Sequence, residues 1–188
     1  TALENTDADV LVYIDTDAYA APETLAVLAA EYANLQISGV GGQGIEAVQN
    51  SLADRWRGRH ASQGHGSRRL ERVDHLFGLC MSYRTDALRA VGGFDTRYRT
   101  NAEDVDMGLR LTNAGRQLIY TPQAVVYHQR TDSLESLRRA MYNWYYWGFV
   151  AKRLNRRKPY SLLAGTMKRL LLTDTLPDLF QKDGMALV

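Results

Sequence analysis

Cysteine is nearly missing: the 188 residues contain one, Cys80. A single thiol excludes an internal disulfide framework and a cysteine-rich zinc site. A reducing, cytoplasmic setting is the simplest one. Cys80 lies in an apolar run, which reads as a buried structural thiol rather than a nucleophile. Long hydrophobic runs are missing too, since no stretch approaches the about 20 apolar residues that cross a bilayer. No basic-then-apolar leader follows Thr1, and a start without methionine reads as a cut. There are no repeats and no low-complexity tracts. Residues 1–54 lack Lys and Arg altogether while carrying nine acids. Residues 136–173 lack acids and carry nine bases. An acidic pole suits a cation, and a basic pole suits phosphate groups or an anionic membrane surface. Two solvated faces that attract each other are the plainer reading of the same pattern.

The apolar share of 45% is enough for one domain with a real core. Val10 to Ile14 reads as a buried, parallel strand ended by Asp15-Thr16-Asp17. Pro22 opens a helix reaching about Asn34. Gln36 to Val40 is a second strand, stopped by the glycines at 39, 41, 42 and 44. Ile45 to Trp56 reads as a helix, and Gly58 to Arg69 as a mobile loop. Leu76 to Tyr83 reads as a strand, followed by a short helix from Thr85 to the Gly92-Gly93 pair. Glu103 to Ala114 is a helix with Gly115 at its end. Gln117 to Tyr120 and Ala124 to Tyr127 read as two short strands around Pro122. A long helix starts at Ser133, with Leu134, Leu137, Met141, Trp144, Tyr145 and Gly148 on one face. A last helix is expected from Ser161 to Leu172. Alternating strands and helices define an α/β chain.

Three features carry chemistry. Asp15 and Asp17 stand at the carboxyl end of a strand, where open α/β sheets bind ligands. Two adjacent carboxylates repel each other, and Mg2+ or Mn2+ relieves that repulsion while taking its other ligands from substrate phosphates. Alone, an Asp-x-Asp pair is a weak signal. Glu103-Asp104-Val105-Asp106 opens a helix. Acids there favour the helix dipole, which is the plain explanation. The functional one is a general base that takes a proton from an attacking hydroxyl. His128 follows the apolar run 124–127, and a neutral imidazole at a strand end can complete a metal site, although a lone histidine is more often an ordinary residue.

In their order and surroundings these segments resemble glycosyltransferase family 2. The resemblance is carried by LVYIDTDAYAAPETL from Leu11, GLCMSYRTDALRAVGGFDTRY from Gly78, EDVDMGLRL from Glu103 and GRQLIYTPQAVVYH ending at His128. It implies a GT-A fold, a mixed sheet flanked by helices, and an inverting mechanism with a nucleotide-diphosphate sugar donor. It also implies roles for particular residues. Asp15 and Asp17 match the family's DxD motif and would hold donor and metal, with His128 as a third metal contact and Gly78 at the substrate. Asp104 matches the usual catalytic base, with Glu103 beside it. The implied cofactor is Mn2+ or Mg2+, and the implied acceptor is a saccharide or a lipid-linked sugar. The likeness divides the chain into a transferase domain over 1–132 and a C-terminal helical extension over 133–188. Family members carry a longer stretch before the DxD motif, which binds the nucleotide base. The family's processive synthases place Q-x-x-R-W after the ED helix, and Arg139 to Trp144 (RAMYNW) does not match. That departure favours transfer of single sugars.

Other readings compete with these. Met141 to Val150 is rich in aromatics and flanked by bases. This suits an interfacial helix at the cytoplasmic face of a membrane, a core helix, or a contact between two copies. Arg55, Arg57, Arg59, Arg68 and Arg69, with His60 and His65, could clamp donor phosphates from the expected loop, or could simply be solvated. A phosphatase with an aspartyl nucleophile, a nucleotidyltransferase, and a non-catalytic binding half-domain are the rival classes. No nucleic-acid partner is expected, because the acidic half would repel a phosphate backbone.

Overall fold

Five strands make one mixed sheet in the order β1-β4-β3-β5-β2. The structure is a computed structural model that describes residues 2–155. The strands are β1 (Val10–Ile14), β2 (Ala18–Ala20), β3 (Ile37–Glu46), β4 (Cys80–Arg84) and β5 (Gln117–His128). The helices are α1 (Thr24–Glu31), α2 (Leu52–His60), α3 (Thr85–Ala90), α4 (Glu103–Asn113) and α5 (Leu134–Leu154). The last helix expected, 161–172, lies outside the described residues.

Side-chain alternation along the central strands feeds two cores. Cys80 and Ile119 point into a layer with Leu28 of α1 and Tyr32, which caps that helix. Their neighbours Met81 and Leu118 point the other way, into a layer with Ala87 and Leu88 of α3 and Met107 and Leu111 of α4. The Cys80 thiol is buried, which pushes its pKa up to about 11 and leaves it inert. Helix α5 packs outside α4 through Ala151, Trp147 and Val150 against Tyr98, Ala102 and Val105.

Several elements differ from the sequence reading. β1 is not a buried parallel strand. It runs antiparallel to β4, its one strand partner among the described residues, and Val12 is 39% exposed. β3 does not stop at the glycines but runs through them, because neighbours press on the strand. A Cβ on Gly39 would stand 2.7 Å from Leu118 Cδ2, and one on Gly42 would stand 2.4 Å from the Ala124 carbonyl oxygen. The expected helix from Ile45 begins only at Leu52. Ser51 caps it, accepting from the Asp54 amide while Asp54 accepts from the Ser51 amide. The two strands expected around Pro122 are one. Its pairing with β3 skips from Gly41↔Tyr120 to Gln43↔Val125, so the proline sits in a bulge where no ladder bond is required.

The long helix also turns out differently from its expected face. Leu134 and Tyr145 are exposed, while Leu137, Gly148 and Ala151 are buried. No helix among the described residues is long and apolar enough to cross a membrane.

Candidate active site

The turn between β1 and β2 carries Asp15 and Asp17. Strand β2 pairs antiparallel with the end of β5 in the register Ala18↔His128. The Gln129 amide also donates to the Asp17 carbonyl at 2.7 Å. These main-chain bonds bring residues far apart in sequence side by side, with His128 Nε2 3.3 Å from Asp17 Oδ2. Helix α4 begins across the same opening. Its N-cap, Ala102, adopts a left-handed backbone at φ 72, the one non-glycine among the described residues to do so. Such a conformation costs about 1–2 kcal/mol, and it turns the chain so that Glu103 and Asp104 meet the cleft.

That cleft has a volume of about 340 Å3, and Asp15, Asp17, Gly78, Glu103, Asp104 and His128 all line it. The six residues singled out from the sequence are therefore brought together. Gly78 donates its amide to Asp104 Oδ2 at 2.9 Å, and the Val105 amide donates to Asp104 Oδ1 at 2.7 Å. Asp106, the third acid of the helix, does not join them. It is buried under α5, bonded to Arg110 Nε at 2.7 Å and Asn155 Nδ2 at 2.9 Å. Arg110 in turn donates to the carbonyls of Val91 and Gly93, which fastens the glycine turn to α4.

The electrostatics are those of crowded acids. Burial, then the charge of Glu103, push the Asp104 carboxyl up to about 6, against the lowering effect of its two amide bonds. Glu103 is raised by burial and by the charge of Asp15, so the two acids feel each other across the cleft. Asp15 is raised by burial and by Asp17. For His128, burial opposes the charged form. The hydrogen bond and charge of Glu46, together with Asp17, outweigh it and hold the imidazole above its ordinary value.

A cation would relieve this crowding. Among the described residues no group of three acid, histidine or cysteine side chains converges as a finished cage. Asp17 and His128 form a ready pair, one hard oxygen and one imidazole nitrogen, that leaves positions for phosphate oxygens. The donor set therefore fits a Mn2+ or Mg2+ shared with a substrate.

Several cleft residues escaped the sequence reading. Gln63, His75, Phe77, Thr100, Asn101, Arg130 and Trp144 also line it. His75 is pushed down to about 4 by burial and the nearby His65 and Lys152, so it forms a neutral wall. Behind His128 stands Glu46, both of whose carboxylate oxygens lie 3.0 Å from His128 Nδ1. The signal for Glu46 was its place at the end of β3, beside the strand that ends in His128. The arginines expected on a clamp divide otherwise. Arg57 is 1% exposed and pairs with Glu46, Asp132 and Asp54. Arg69 is tied to Glu31 and Glu71.

The same architecture occurs in solved glycosyltransferases of the GT-A type. The chain superposes on the mannosyltransferase PcManGT from Pyrobaculum calidifontis, solved with GDP-Man and Mn2+, at a TM-score of 0.60 and 19% identity, over 93% of this chain and 48% of that one. It superposes on GalNAc-T7, solved with UDP, GalNAc and Mn2+, at a TM-score of 0.50 and 12% identity, over 68% and 29%. The molecule has a GT-A-like fold.

Residues 10–179 match the sequence model of Glycosyl transferase family group 2, and the chain belongs to glycosyltransferase family 2. Among relatives, it is 46% identical over 61 residues to the N-acetylglucosaminyl-diphospho-decaprenol L-rhamnosyltransferase of Mycobacterium tuberculosis, covering 32% of this chain and 20% of that protein. It is 28% identical over 151 residues to the pre-mycofactocin glycosyltransferase of the same species, covering 76% of this chain and 32% of that protein. The chain thus spans a fifth to a third of the length of these relatives.

Proposed function

We propose that this chain is the catalytic, acceptor-side part of an inverting, divalent-metal-dependent glycosyltransferase. The reaction moves a sugar from a nucleotide-diphosphate donor to an acceptor hydroxyl. One observation carries the reading: Asp104, with its raised pKa, lines the same cleft as the Asp17–His128 pair.

Asp17 and His128, with Asp15 beside them, would hold the cation. When bound, the ion neutralises charge on the departing nucleotide diphosphate. Asp104 takes the proton from the attacking hydroxyl. The Gly78 and Val105 amides hold its two oxygens in place. Glu103 keeps the base strong by its negative charge. Gly78, without a side chain, leaves room for the acceptor next to Asp104. Phe77 and Trp144 wall the cleft and keep water from competing as the nucleophile.

A lipid-linked acceptor in cell-surface polysaccharide or glycolipid synthesis suits two features. A relative acts on a decaprenol-linked sugar by its name. Tyr142, Tyr145 and Tyr146 stand exposed on α5, between the basic residues Arg138, Arg139, Lys152 and Arg153. Such a face suits peripheral contact with the cytoplasmic side of a membrane. The aspartyl-phosphatase alternative finds no support in the family or the fold.

The test is a panel of nucleotide sugars with Mn2+ on the complete protein, with Asp104→Asn alongside. Metal-dependent transfer or donor hydrolysis that Asp104→Asn abolishes, with donor binding intact, supports the reading. No metal-dependent donor binding by any sugar nucleotide overturns it.

A further inference from the structure

Glu46 is the last residue of β3, 8% exposed, and lies opposite His128 in the parallel β3–β5 register. One of its oxygens also meets Arg57 Nη2 at 2.9 Å. Arg57, from the last turn of α2, is fixed independently of Glu46. It pairs with Asp132 and donates through Nη2 to the Arg130 carbonyl at 2.6 Å. Asp132 is itself held, its amide donating to Asp54 Oδ1 at 2.6 Å. A rigid guanidinium therefore stands behind Glu46 and pairs with its buried carboxylate.

We propose that Glu46, clamped by Arg57, is a positioning residue that sets the His128 imidazole so that Nε2 presents its lone pair to a divalent cation beside Asp17. A carboxylate can only accept hydrogen bonds, so Nδ1 keeps its hydrogen toward Glu46, and an ion seated beside Asp17 displaces the proton from Nε2, 3.3 Å from Asp17 Oδ2, and takes its lone pair. Two oxygens at equal distance from Nδ1 also hold the ring against rotation. Carboxylate partners of ligating histidines act in this way generally, and losing one weakens metal binding by about 10–100-fold. The inference rests on the reading of His128 as a metal contact.

Glu46→Gln is the sharp perturbation. Arg57 needs an acceptor and takes the amide oxygen, which turns the amide NH2 toward Nδ1. Nδ1 must then accept, the hydrogen moves to Nε2, and the nitrogen facing Asp17 binds an ion only after that tautomer is reversed, which weakens binding.

The experiment measures Mn2+ binding to the complete protein by EPR titration without donor. The native protein is compared with Glu46→Gln, His128→Ala and the double variant, and nitrogen NMR of the metal-free protein, at a pH high enough that the imidazole is neutral, reads its tautomer. The expected results are an Mn2+ affinity at least about tenfold weaker in Glu46→Gln and a tautomer shifted from Nδ1–H to Nε2–H. No further loss should appear when Glu46→Gln is added to His128→Ala. Native affinity in Glu46→Gln with weakened affinity in His128→Ala overturns the role of Glu46 and leaves His128 as a ligand. Native affinity in His128→Ala overturns both. A loss that persists in the His128→Ala background makes Glu46 a merely structural residue and overturns the proposal. If Glu46→Gln does not fold, Glu46→Asp keeps the charge, shortens the reach, and takes its place in the same cycle.

Discussion

Replacing Asp104 with asparagine removes one ionisable oxygen from the cleft and tests two separate consequences of its environment. Burial and Glu103 raise the carboxyl from 3.8 to about 6. At about 1.4 kcal/mol for each tenfold, the ionised form costs the folded protein at most about 3 kcal/mol, an upper bound because the side chain is only partly buried. Asparagine avoids that cost. It can accept from the Gly78 or the Val105 amide but not both, and losing one such bond costs about 1 kcal/mol.

The net expectation is a variant more stable than the native protein by up to about 2 kcal/mol at pH 7. The sign follows from proton linkage. Between the unfolded value near 4 and the folded value near 6 the native state binds the proton more tightly, so native stability falls as pH rises through that window. The gap between variant and native should therefore be complete above pH 6 and should close or reverse below pH 4. Urea unfolding at several pH values measures it. Turnover should fall by about 10^2–10^4, with donor binding retained, and the native kcat/KM should lose activity below about pH 6 along a limb of unit slope. A stability gap that is the same at pH 4 and pH 7 refutes the electrostatics, and turnover surviving in Asp104→Asn refutes the role.

Gly78→Ala places a methyl 3.6 Å from Asp104 Oδ2 and 3.8 Å from Glu103 Oε1, ordinary contact distances. Its melting temperature should match the native one while kcat/KM for the acceptor falls and Mn2+–donor binding does not change, as calorimetry and steady-state kinetics would read. Ala102→Gly relaxes the left-handed φ of 72, a gain of about 1–2 kcal/mol that loss of a buried methyl offsets by about 0.8. Denaturant unfolding should show a change within about 1 kcal/mol, and kcat should drop several-fold because α4 no longer enters the cleft at a fixed angle. Asp106→Ala cuts the bonds to Arg110 and Asn155. Arg110 keeps its two carbonyl partners, so the expected loss of stability is about 2 kcal/mol, with the kcat of the folded fraction unaltered.

Asp104 and Asp106 show where the sequence was readable and where it was not. Both are acids in the first turn of one helix, and motif likeness singled out the first. What separates them physically is direction. Residues two apart on a helix point to nearly opposite sides, so one meets the cleft and the other lies under α5. Asp15, Asp17 and His128 were legible because they end strands, and a strand's carboxyl end in an α/β sheet is where ligands gather. The glycines of β3 misled for the opposite reason. A glycine marks a turn from its own freedom, whereas Gly39 and Gly42 are required by what Leu118 and Ala124 do to them from elsewhere in the chain. Pro122 likewise reads in sequence as a break between two short strands, but its bulge depends on the pairing of β5 with β3.

Arg57 extends the point from fold to site. In sequence it is one of several bases between 55 and 69, indistinguishable from Arg55 or Arg59. In the structure it is buried, and stripping Arg57 would leave Asp54 with no cation beside it, Glu46 with His128 alone and Asp132 with Arg130 alone. An uncompensated buried charge of this kind costs about 3–5 kcal/mol, so the guanidinium is what allows an anion to sit directly behind His128. The acids of the cleft face a substrate and can be neutralised from outside, whereas the acids behind it share the buried Arg57, with Arg130 beside Asp132 at the rim and His128 beside Glu46. One strand end thus carries two carboxylate sets, an open one suited to an exchangeable cation and a closed one with a permanent cation, and His128 touches both.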